Sequence, residues 1–499
     1  MPNDFSLRIR NAEALPIARI PVLSCDDFRQ TIIESVNSGG RISAYFGMRF
    51  AEDHVRIIAV VAFEDKGDLS VFSMVVDRGY PAITPDCAQA HWFERELAEQ
   101  WGIEPVGHPW LKPVRFQAPY RGNAIASVCG VTNFFRINGD EIHEVAVGPV
   151  HASVIEPGHF RFQCFGEEVH HLEISLGYQH RGIERALVGG PNKRTIHYME
   201  TLAGDTTIGH AFAYCQALEA LSRCNVPPRG LVLRGIALEL ERLANHIGDL
   251  GALAGDVGFL PTASYCGRIR GDVLNFTALL CGNRFGRGIV RPGGAAVDLD
   301  GDMVDVLLKG LSAAIPDTSS AVNLLWDTPS VTARFEDTGV VPFEVCEDLG
   351  LVGVAARACG VDRDVRKDLP FGIYRFVHIP TATWDTGDVF GRAHVRDVEI
   401  QRSFAFVREQ LETLPKGEVH VDPAPLMPEH LAVSLVEGWR GEICHVALTD
   451  DRGRFASYKV VDPSFHNWFG LAYALRGQQI SDFPLCNKSF NLSYCGHDL

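Results

Sequence analysis

The spacing of apolar positions in the first 115 residues has two different periods. Apolar runs separated by polar turns predict three strands, at Ile42–Phe50, Val55–Phe63 and Leu69–Val76. A glycine stop signal at Gly39 and Gly40 indicates the end of a short helix near Asp27–Val36. Helical spacing of Phe93, Leu97 and Trp101 predicts a second helix. This mixture of short strands and helices is typical of a small α/β unit.

Helical spacing returns further along the chain in a longer apolar stripe. The stripe is formed by Ile236, Leu240, Leu243, Ile247 and Leu250. A second stripe with similar spacing is charged and consists of Glu239, Arg242, His246 and Asp249. Periodicity alone favours exposure of the charged stripe to solvent, but a buried ionic line has the same spacing.

Turn residues and alternating segments after residue 141 predict β-hairpins ahead of the helices. The stretch before them is irregular and carries Arg, Pro and Gly, as linkers do. We therefore expect an α+β protein with three parts. These are an α/β domain at 1–115, a linker at 116–140, and a mainly helical domain with β-hairpin regions at 141–499.

Composition narrows the possible partners. The 499 residues carry a formal charge of -16, which argues against binding to nucleic acid or to an anionic membrane surface. The longest apolar run, Ile57–Phe63, is too short to span a bilayer, and the N-terminus has no apolar signal-peptide core. We expect a cytoplasmic chain whose membrane association comes through partners. Only 8 of the 46 basic residues are lysine, which suits buried arginine ion pairs but also follows from a GC-rich genome.

Several rare strings occur in an order that is typical of one family. GPVH, EPGHFRF and GYQHRGIE, between residues 148 and 184, resemble the start of the large subunit of group 4 membrane-bound hydrogenases, which include formate hydrogenlyase, and of the related 49-kDa subunit of complex I. RPGG at 291–294 and RKD at 366–368 continue the resemblance. The segment from Glu94 to Pro109 is similar to the complex I 30-kDa subunit, although Glu94, Arg95 and Glu96 alone predict a solvated face.

The resemblance implies where metal ligands would stand. A nickel–iron site needs four thiolates from two Cys-x-x-Cys pairs. The corresponding positions are occupied by Ala203, Thr206, Ser493 and Gly496. Cys495 is off register by one, and no two of the 13 cysteines are three apart. We expect no nickel–iron site and no other metal centre in this chain.

Because its metal ligands are missing, this chain resembles the complex I subunit in this respect. In complex I, the equivalent cavity receives a quinone headgroup beside an iron–sulfur cluster of another subunit. The resemblance then assigns His159 and Glu184 to catalysis, with Glu184 passing protons away from the site. The candidate residues for the cofactor cavity are His159, Asp205, Thr206, His210 and Tyr494. The tyrosine partner of complex I is missing, because its position aligns near Gly204. His159 as a hydrogen-bonded turn residue remains an equal alternative.

Other charged residues have a structural role under the same resemblance. It favours a buried structural ionic line of Arg181, Glu239, Arg242 and His246, in which Arg181 is a clamp on a carboxylate.

Two functions remain open. The first is a subunit of a complex-I-like or hydrogenase-4-like oxidoreductase, with an iron–sulfur small subunit that holds a [4Fe-4S] cluster and with membrane-arm subunits. It would be peripheral on the cytoplasmic face of the inner membrane, and quinone is a possible ligand. NADH would be oxidised elsewhere, since no G-x-G-x-x-G loop occurs. The alternative is a non-catalytic docking or coupling subunit, so enzymatic activity stays uncertain.

Overall fold

The computed structural model describes residues 6–50, 54–122, 126–152 and 155–499. Residues 1–5, which belong to the segment without a signal-peptide core, lie outside these ranges, as do three residues of the predicted linker. Helices and several small sheets are mixed throughout the chain, so the predicted α+β class is confirmed.

A five-stranded sheet forms the centre of the N-terminal region. Its strands are β1 (Leu7–Ile9), β3 (Val22–Leu23), β4 (Arg41–Arg49), β5 (Val55–Phe63) and β6 (Asp68–Val76). Strands β4, β5 and β6 are antiparallel neighbours, and β1 and β3 both pair with β6. Every residue of β5 is buried, so both faces of the sheet are covered. The three predicted strands are confirmed to within one residue at each end.

Two helices cover the sheet, α1 (Cys25–Asn37) and α2 (His91–Trp101). The Ser24 hydroxyl accepts a hydrogen bond from the Asp27 amide and caps the start of α1. Phe28 of α1 and Phe93 of α2 both pack against the ring of Tyr45 in β4. Both helices were expected, α1 from the glycines that follow it and α2 from its apolar spacing.

The charged residues of α2 are buried, so the solvated face predicted for them is wrong. The Glu94 carboxylate accepts hydrogen bonds from the amides of Ile83 and Thr84, at 2.8 and 3.0 Å, and from the Thr84 hydroxyl. Arg95 donates to two backbone carbonyls, and Glu96 pairs with two cations described below. Periodicity could not reveal these partners because they lie on other elements.

A short parallel pair, β7 (Gly79–Pro81) and β8 (Glu104–Val106), ends the N-terminal region. The described residues from 107 to 141 contain no helix or strand. They lead into a three-stranded antiparallel sheet of β9 (Ile142–Val147), β10 (His159–Phe165) and β11 (Glu168–Ser175), in the order β9, β10, β11. The β-hairpin predicted before the helices is therefore present.

Long helices form the core of the second region: α5 (Thr207–Ser222), α6 (Pro228–Asp256), α7 (Leu260–Cys281), α8 (Gly301–Trp326) and α13 (Val389–Glu412). Helix α6 is the longest of these and lies between α7 and α13. Gly251 lets α6 approach α7 closely, since a Cβ there would lie 2.7 Å from the Cβ of Cys266.

Shorter elements connect the long helices. They are α3 (Ile183–Leu187), α4 (Thr195–Met199), α9 (Pro329–Phe335), α10 (Phe343–Leu349), α11 (Gly353–Arg357), α12 (Val365–Asp368), and the two-residue strands β12 (Val290–Arg291) and β13 (Gly294–Ala295).

The C-terminal sheet contains a strand from the beginning of the chain. Its strands are β14 (His430–Glu437), β15 (Glu442–Thr449), β16 (Phe455–Val461) and β2 (Ala14–Pro16), and the helices α14 (Pro463–Ala474), α15 (Phe483–Phe490) and α16 (Tyr494–Asp498) follow it. Strand β2 pairs antiparallel with β14, with Leu15 opposite Leu431. The segment expected to form a separate small unit thus completes a sheet of the larger one.

A buried ion pair also joins the two regions. Arg41 in β4 donates to Glu442 in β15 at 3.0 Å and to Glu64 at 3.0 Å. The Arg41 side chain is almost fully buried, and so is that of Glu442. Within the described ranges, no helix is long and apolar enough to cross a bilayer.

Removing the buried Arg41 guanidinium should strongly destabilise the contact between β4 and β15. We expect Arg41→Met to lower the free energy of unfolding by about 3–5 kcal/mol, because it leaves the buried Glu442 carboxylate without a counter-ion, whereas Glu64 keeps Arg363. Arg268→Met is the matched control, since Arg268 pairs with Asp272 and Asp317 in a half-exposed position. Urea unfolding of both variants measures the difference, and equal unfolding curves would contradict the role of Arg41.

Candidate active site

The structure brings together, from two distant parts of the chain, the four positions at which the family resemblance implies metal ligands. Ala203 and Thr206 precede α5, whereas Ser493 and Gly496 lie at the start of α16, and all four are buried. One Arg181 nitrogen donates to the carbonyl of Leu202 at 2.8 Å and to that of Cys495 at 3.0 Å. The two segments are therefore direct neighbours.

An arginine from a third segment lies among these positions. Arg440, in the turn between β14 and β15, donates to both carboxylate oxygens of Asp205 at 2.7 Å. The same guanidinium donates to the Thr206 hydroxyl at 3.1 Å and to the carbonyl of Asn491. It also stacks on the Trp439 ring, 3.9 Å from the centroid. One buried cation thus contacts both segments that carry the ligand positions.

The ion pair between Arg440 and Asp205 determines whether this site can bind a metal cation. Desolvation opposes ionisation of Asp205, but the guanidinium outweighs it and holds the pKa of Asp205 below its ordinary value. A positive charge at these positions repels a metal cation, and none of the four residues supplies a thiolate. No group of three or more His, Cys, Asp or Glu residues suited to a metal occurs in the described part of the chain. The residues present do not fit a nickel–iron centre.

The space left beside Asp205 is small. It measures about 20 Å³ and is lined by residues that include Asp205, Glu241 and Asn245. A cavity of this size has room for about one water molecule. Asp205 and Thr206 therefore form a closed, polar region rather than a preformed quinone pocket within this chain.

His159 lies at the start of β10 and is buried. Its Nδ1 donates to the Gly148 carbonyl at 3.2 Å, and its ring packs on Phe134. Nε2 has no hydrogen-bond partner among the described residues. Burial is the main reason why the pKa of His159 lies below its ordinary value. In this neutral tautomer Nε2 can accept a hydrogen bond from a hydroxyl.

Tyr494 lies next to the same hairpin. A Cβ on Gly158, the neighbour of His159, would meet the Tyr494 ring at 2.7 Å. The Tyr494 amide donates to the Glu156 carboxylate at 3.3 Å, and its ring packs on Trp468. The structure thus places Tyr494 against the His159 hairpin. It places His210 elsewhere, in contact with Asp462 and His445.

Glu184 belongs to a separate buried network around Lys459. The Lys459 ammonium lies 3.0 Å from Glu184 and 2.6 Å from Glu96, and Arg115 pairs with Glu96 as well. Glu184 also accepts hydrogen bonds from the Val460 amide and from Gln100. A cavity of about 690 Å³ lies beside this network and is lined in part by Glu184, Gln100, Lys459 and Tyr458.

The charged stripe of α6 is buried, so its solvent-facing interpretation is wrong. Glu239 pairs with Arg242 at 3.1 Å, and His246 contacts Glu399 of α13 at 2.7 Å. The network extends to further buried residues from other elements, Arg357, Asp364, Arg366 and Glu437. The prediction that this stripe faces solvent was wrong because α13 and the loops supply counter-charges. Spacing along one helix cannot show such partners.

The interpretation of Arg181 needs correction. Its guanidinium donates to the backbone carbonyls of Thr201, Leu202 and Cys495, and no carboxylate in the described ranges pairs with it. Arg181 is a clamp, but it holds main-chain oxygens and lies outside the ionic line.

Sequence reasoning missed several residues of the site: Arg440, Glu241, His445, Lys459 and Asp462. Each lies on a strand, turn or helix far in sequence from the motif it contacts. Arg440 stands in the string VEGWRGE, which occurs in family order, but nothing in that string indicates its partner. Their roles depend on the tertiary fold.

Comparison with known proteins agrees with this architecture. The family described as respiratory-chain NADH dehydrogenase, 49 Kd subunit, matches residues 256–430, and the corresponding 30 Kd subunit family matches residues 40–123. The carbon monoxide-induced hydrogenase of Rhodospirillum rubrum is 33% identical over 350 residues, which cover 70% of this chain and 97% of that protein.

Two further relatives extend the match. Formate hydrogenlyase subunit 5 of Escherichia coli strain K12 is 28% identical over 91% of this chain and 84% of its own length. NADH-quinone oxidoreductase subunit 4 of Thermus thermophilus is 31% identical over 68% of this chain and 90% of its own length. The chain belongs to the group 4 hydrogenase large-subunit family, with 30-kDa-like and 49-kDa-like sequence in one polypeptide. It is a subunit of a complex-I-like or hydrogenase-4-like oxidoreductase assembly.

Glu241 gives the site a testable pH dependence. Its carboxyl accepts hydrogen bonds from the Ile208 and Gly209 amides, and burial raises its pKa from 4.5 to about 8. Between these values the unfolded chain has released the proton and the folded chain retains it. The stability of the folded state therefore falls as pH rises from about 4.5 to 8.

Glu241→Gln should remove this dependence, because the amide is neutral at every pH. Relative to wild type, the variant should gain up to about 1.4 kcal/mol per pH unit between pH 5 and 8 in urea unfolding. Asp362→Asn is the control, since its hydrogen bond with Lys367 lowers the pKa of Asp362, which is therefore ionised in both states across this window and predicts a constant difference. Parallel curves for wild type and Glu241→Gln would show that the assignment is wrong.

Proposed function

We infer that this chain forms the metal-free, quinone-type cavity of its assembly, beside a partner iron–sulfur subunit. The observation that carries this proposal is the Arg440–Asp205 ion pair at the four ligand positions, none of which is a cysteine. Residues 1–115 would be the 30-kDa-like unit, 116–140 the linker and 141–499 the 49-kDa-like unit.

The acceptor site would lie at the His159 hairpin, where a partner completes it. The free Nε2 of His159 suits the two states of a quinone, since it can accept from a quinol hydroxyl and, when protonated, donate to a quinone carbonyl. Nearby apolar residues are strongly exposed, namely Val128 at 70%, Val131 at 68% and Val150 at 85%. Exposed apolar surface of this kind supports coverage by another subunit.

The assembly would supply the electrons. A partner small subunit with a [4Fe-4S] cluster would deliver them, and membrane-arm subunits would hold the chain at the cytoplasmic face of the inner membrane. NADH, where it takes part, would be oxidised on another subunit. Glu184, buried beside Lys459 and open to the 690 Å³ cavity, would take part in proton movement away from the acceptor.

A non-catalytic docking or coupling role is the second candidate. The closed space of about 20 Å³ beside Asp205 favours it, because no acceptor fits there without a change in structure. The two candidates differ in whether His159 affects electron transfer to an acceptor.

Quinone reduction by the affinity-purified native complex, with a low-potential donor, separates them. We expect the His159→Ala, Glu184→Gln double variant to assemble and to lose about 100-fold or more of the rate, as general acid–base groups typically contribute. The rates of the two single variants show how much of the loss each residue causes. Co-purification of partner subunits verifies assembly.

His171→Ala is the matched control for His159. His171 lies on the neighbouring strand β11, is packed by aromatic rings, and also has an Nε2 without a partner in the described residues. It should retain the wild-type rate. Reduction that is indifferent to both His159 and Glu184, or absent from the wild-type complex, would favour the docking role.

A further inference from the structure

Four buried side chains form an uninterrupted series of hydrogen bonds through the C-terminal sheet. The Tyr458 hydroxyl lies 2.8 Å from His445 Nδ1, and His445 Nε2 lies 3.1 Å from His210 Nδ1. His210 Nε2 then lies 3.0 Å from Asp462 Oδ2. All four residues are at most 3% exposed, so water does not interrupt the series from the side.

The chemistry of the groups fixes the direction of these hydrogen bonds. Burial opposes ionisation of Asp462, but His210 outweighs this effect and keeps the pKa of Asp462 below its ordinary value. A carboxylate only accepts, so His210 donates from Nε2 and, when neutral, accepts at Nδ1. His445, whose pKa burial and His210 lower, then donates from Nε2 and accepts from Tyr458. All donors point from Tyr458 towards Asp462.

The two ends of the series lie in different surroundings. Tyr458 lines the cavity of about 690 Å³ that Glu184 and Lys459 also line. At the density of the liquid, such a volume holds about 20 water molecules. Asp462 lies at the ligand positions, since a Cβ on Gly496 would be 2.6 Å from its Oδ2. The series therefore connects a space large enough for water with the closed region around Arg440.

We propose that Tyr458, His445, His210 and Asp462 form a proton relay from the large cavity to the former ligand positions. One proton enters at the Tyr458 oxygen, while the tyrosine proton moves to His445 Nδ1. The Nε2 proton of His445 moves to His210 Nδ1, and the Nε2 proton of His210 moves to Asp462. One proton enters, one arrives at Asp462, and no electron moves. Its use in acceptor reduction rests on the proposed function.

Hydrogen exchange tests the relay without any acceptor. In the full chain labelled with 15N-histidine, the imidazole N–H signals of His210 and His445 are followed by NMR after transfer into D2O. The relay gives these buried hydrogens a path to solvent through the Tyr458 oxygen. We expect Tyr458→Phe to slow their exchange by tenfold or more, because phenylalanine retains the ring but removes the oxygen.

Tyr214→Phe is the matched control. Tyr214 is equally buried, its ring centroid lies 6.4 Å from that of Tyr458, and its hydroxyl is not part of the series. It should exchange at the wild-type rate. Exchange through local unfolding would be unchanged or faster in Tyr458→Phe, since losing a buried hydrogen bond destabilises the fold, and either result would overturn the relay.

Quinone reduction by complexes that carry the same two variants separates the relay from the proposed function. Slower exchange together with slower reduction in Tyr458→Phe supports both. If Tyr458→Phe slows exchange but the wild-type complex reduces no quinone, the relay is supported and the proposed function is contradicted. Unchanged exchange removes the relay at any rate of reduction.

Discussion

The ion pair between Arg440 and Asp205 is the interaction on which the candidate site depends. A buried guanidinium needs a counter-charge and partners for its hydrogens, since an unpaired charge in the interior is strongly destabilising. Arg440 finds them in Asp205, Thr206 and Asn491, and these contacts join the entry of α5 to the segment before α16. Two segments that are distant in sequence thus meet at a salt bridge, at the positions where the family resemblance implies metal ligands.

Buried arginines have the same role elsewhere in the protein. Arg41, Arg234, Arg242, Arg357 and Arg396 are among the largest fully buried side chains, and each pairs with a carboxylate. Arg357 alone contacts Glu399 and Glu437, at 2.7 and 2.8 Å. The planar guanidinium can satisfy several oxygens at once, which a lysine ammonium does less well. The scarcity of lysine therefore coincides with a physical use of arginine, whatever the base composition of the genome.

The sequence predicts the local elements well and the site only in part. Strands β4, β5 and β6 and the helices α2 and α6 follow from the apolar pattern, because local periodicity reflects which face is buried. The position of Ala203, Thr206, Ser493 and Gly496 follows from family motifs. Spacing failed where charges are buried, as for Glu94 and Glu239, because their counter-charges come from remote segments. For the same reason no sequence pattern indicates that Arg440 reaches Asp205, that β2 pairs with β14, or that His445 contacts His210.

Nickel content is the most direct test of the proposal that an ion pair replaces the metal at this site. The chain would be purified with its complex from its native host, grown with nickel available, and analysed by mass spectrometry of metals beside a nickel-containing hydrogenase treated in the same way. The Arg440–Asp205 pair predicts nickel far below one atom per chain. One nickel per chain would contradict it and would show that other residues bind the metal.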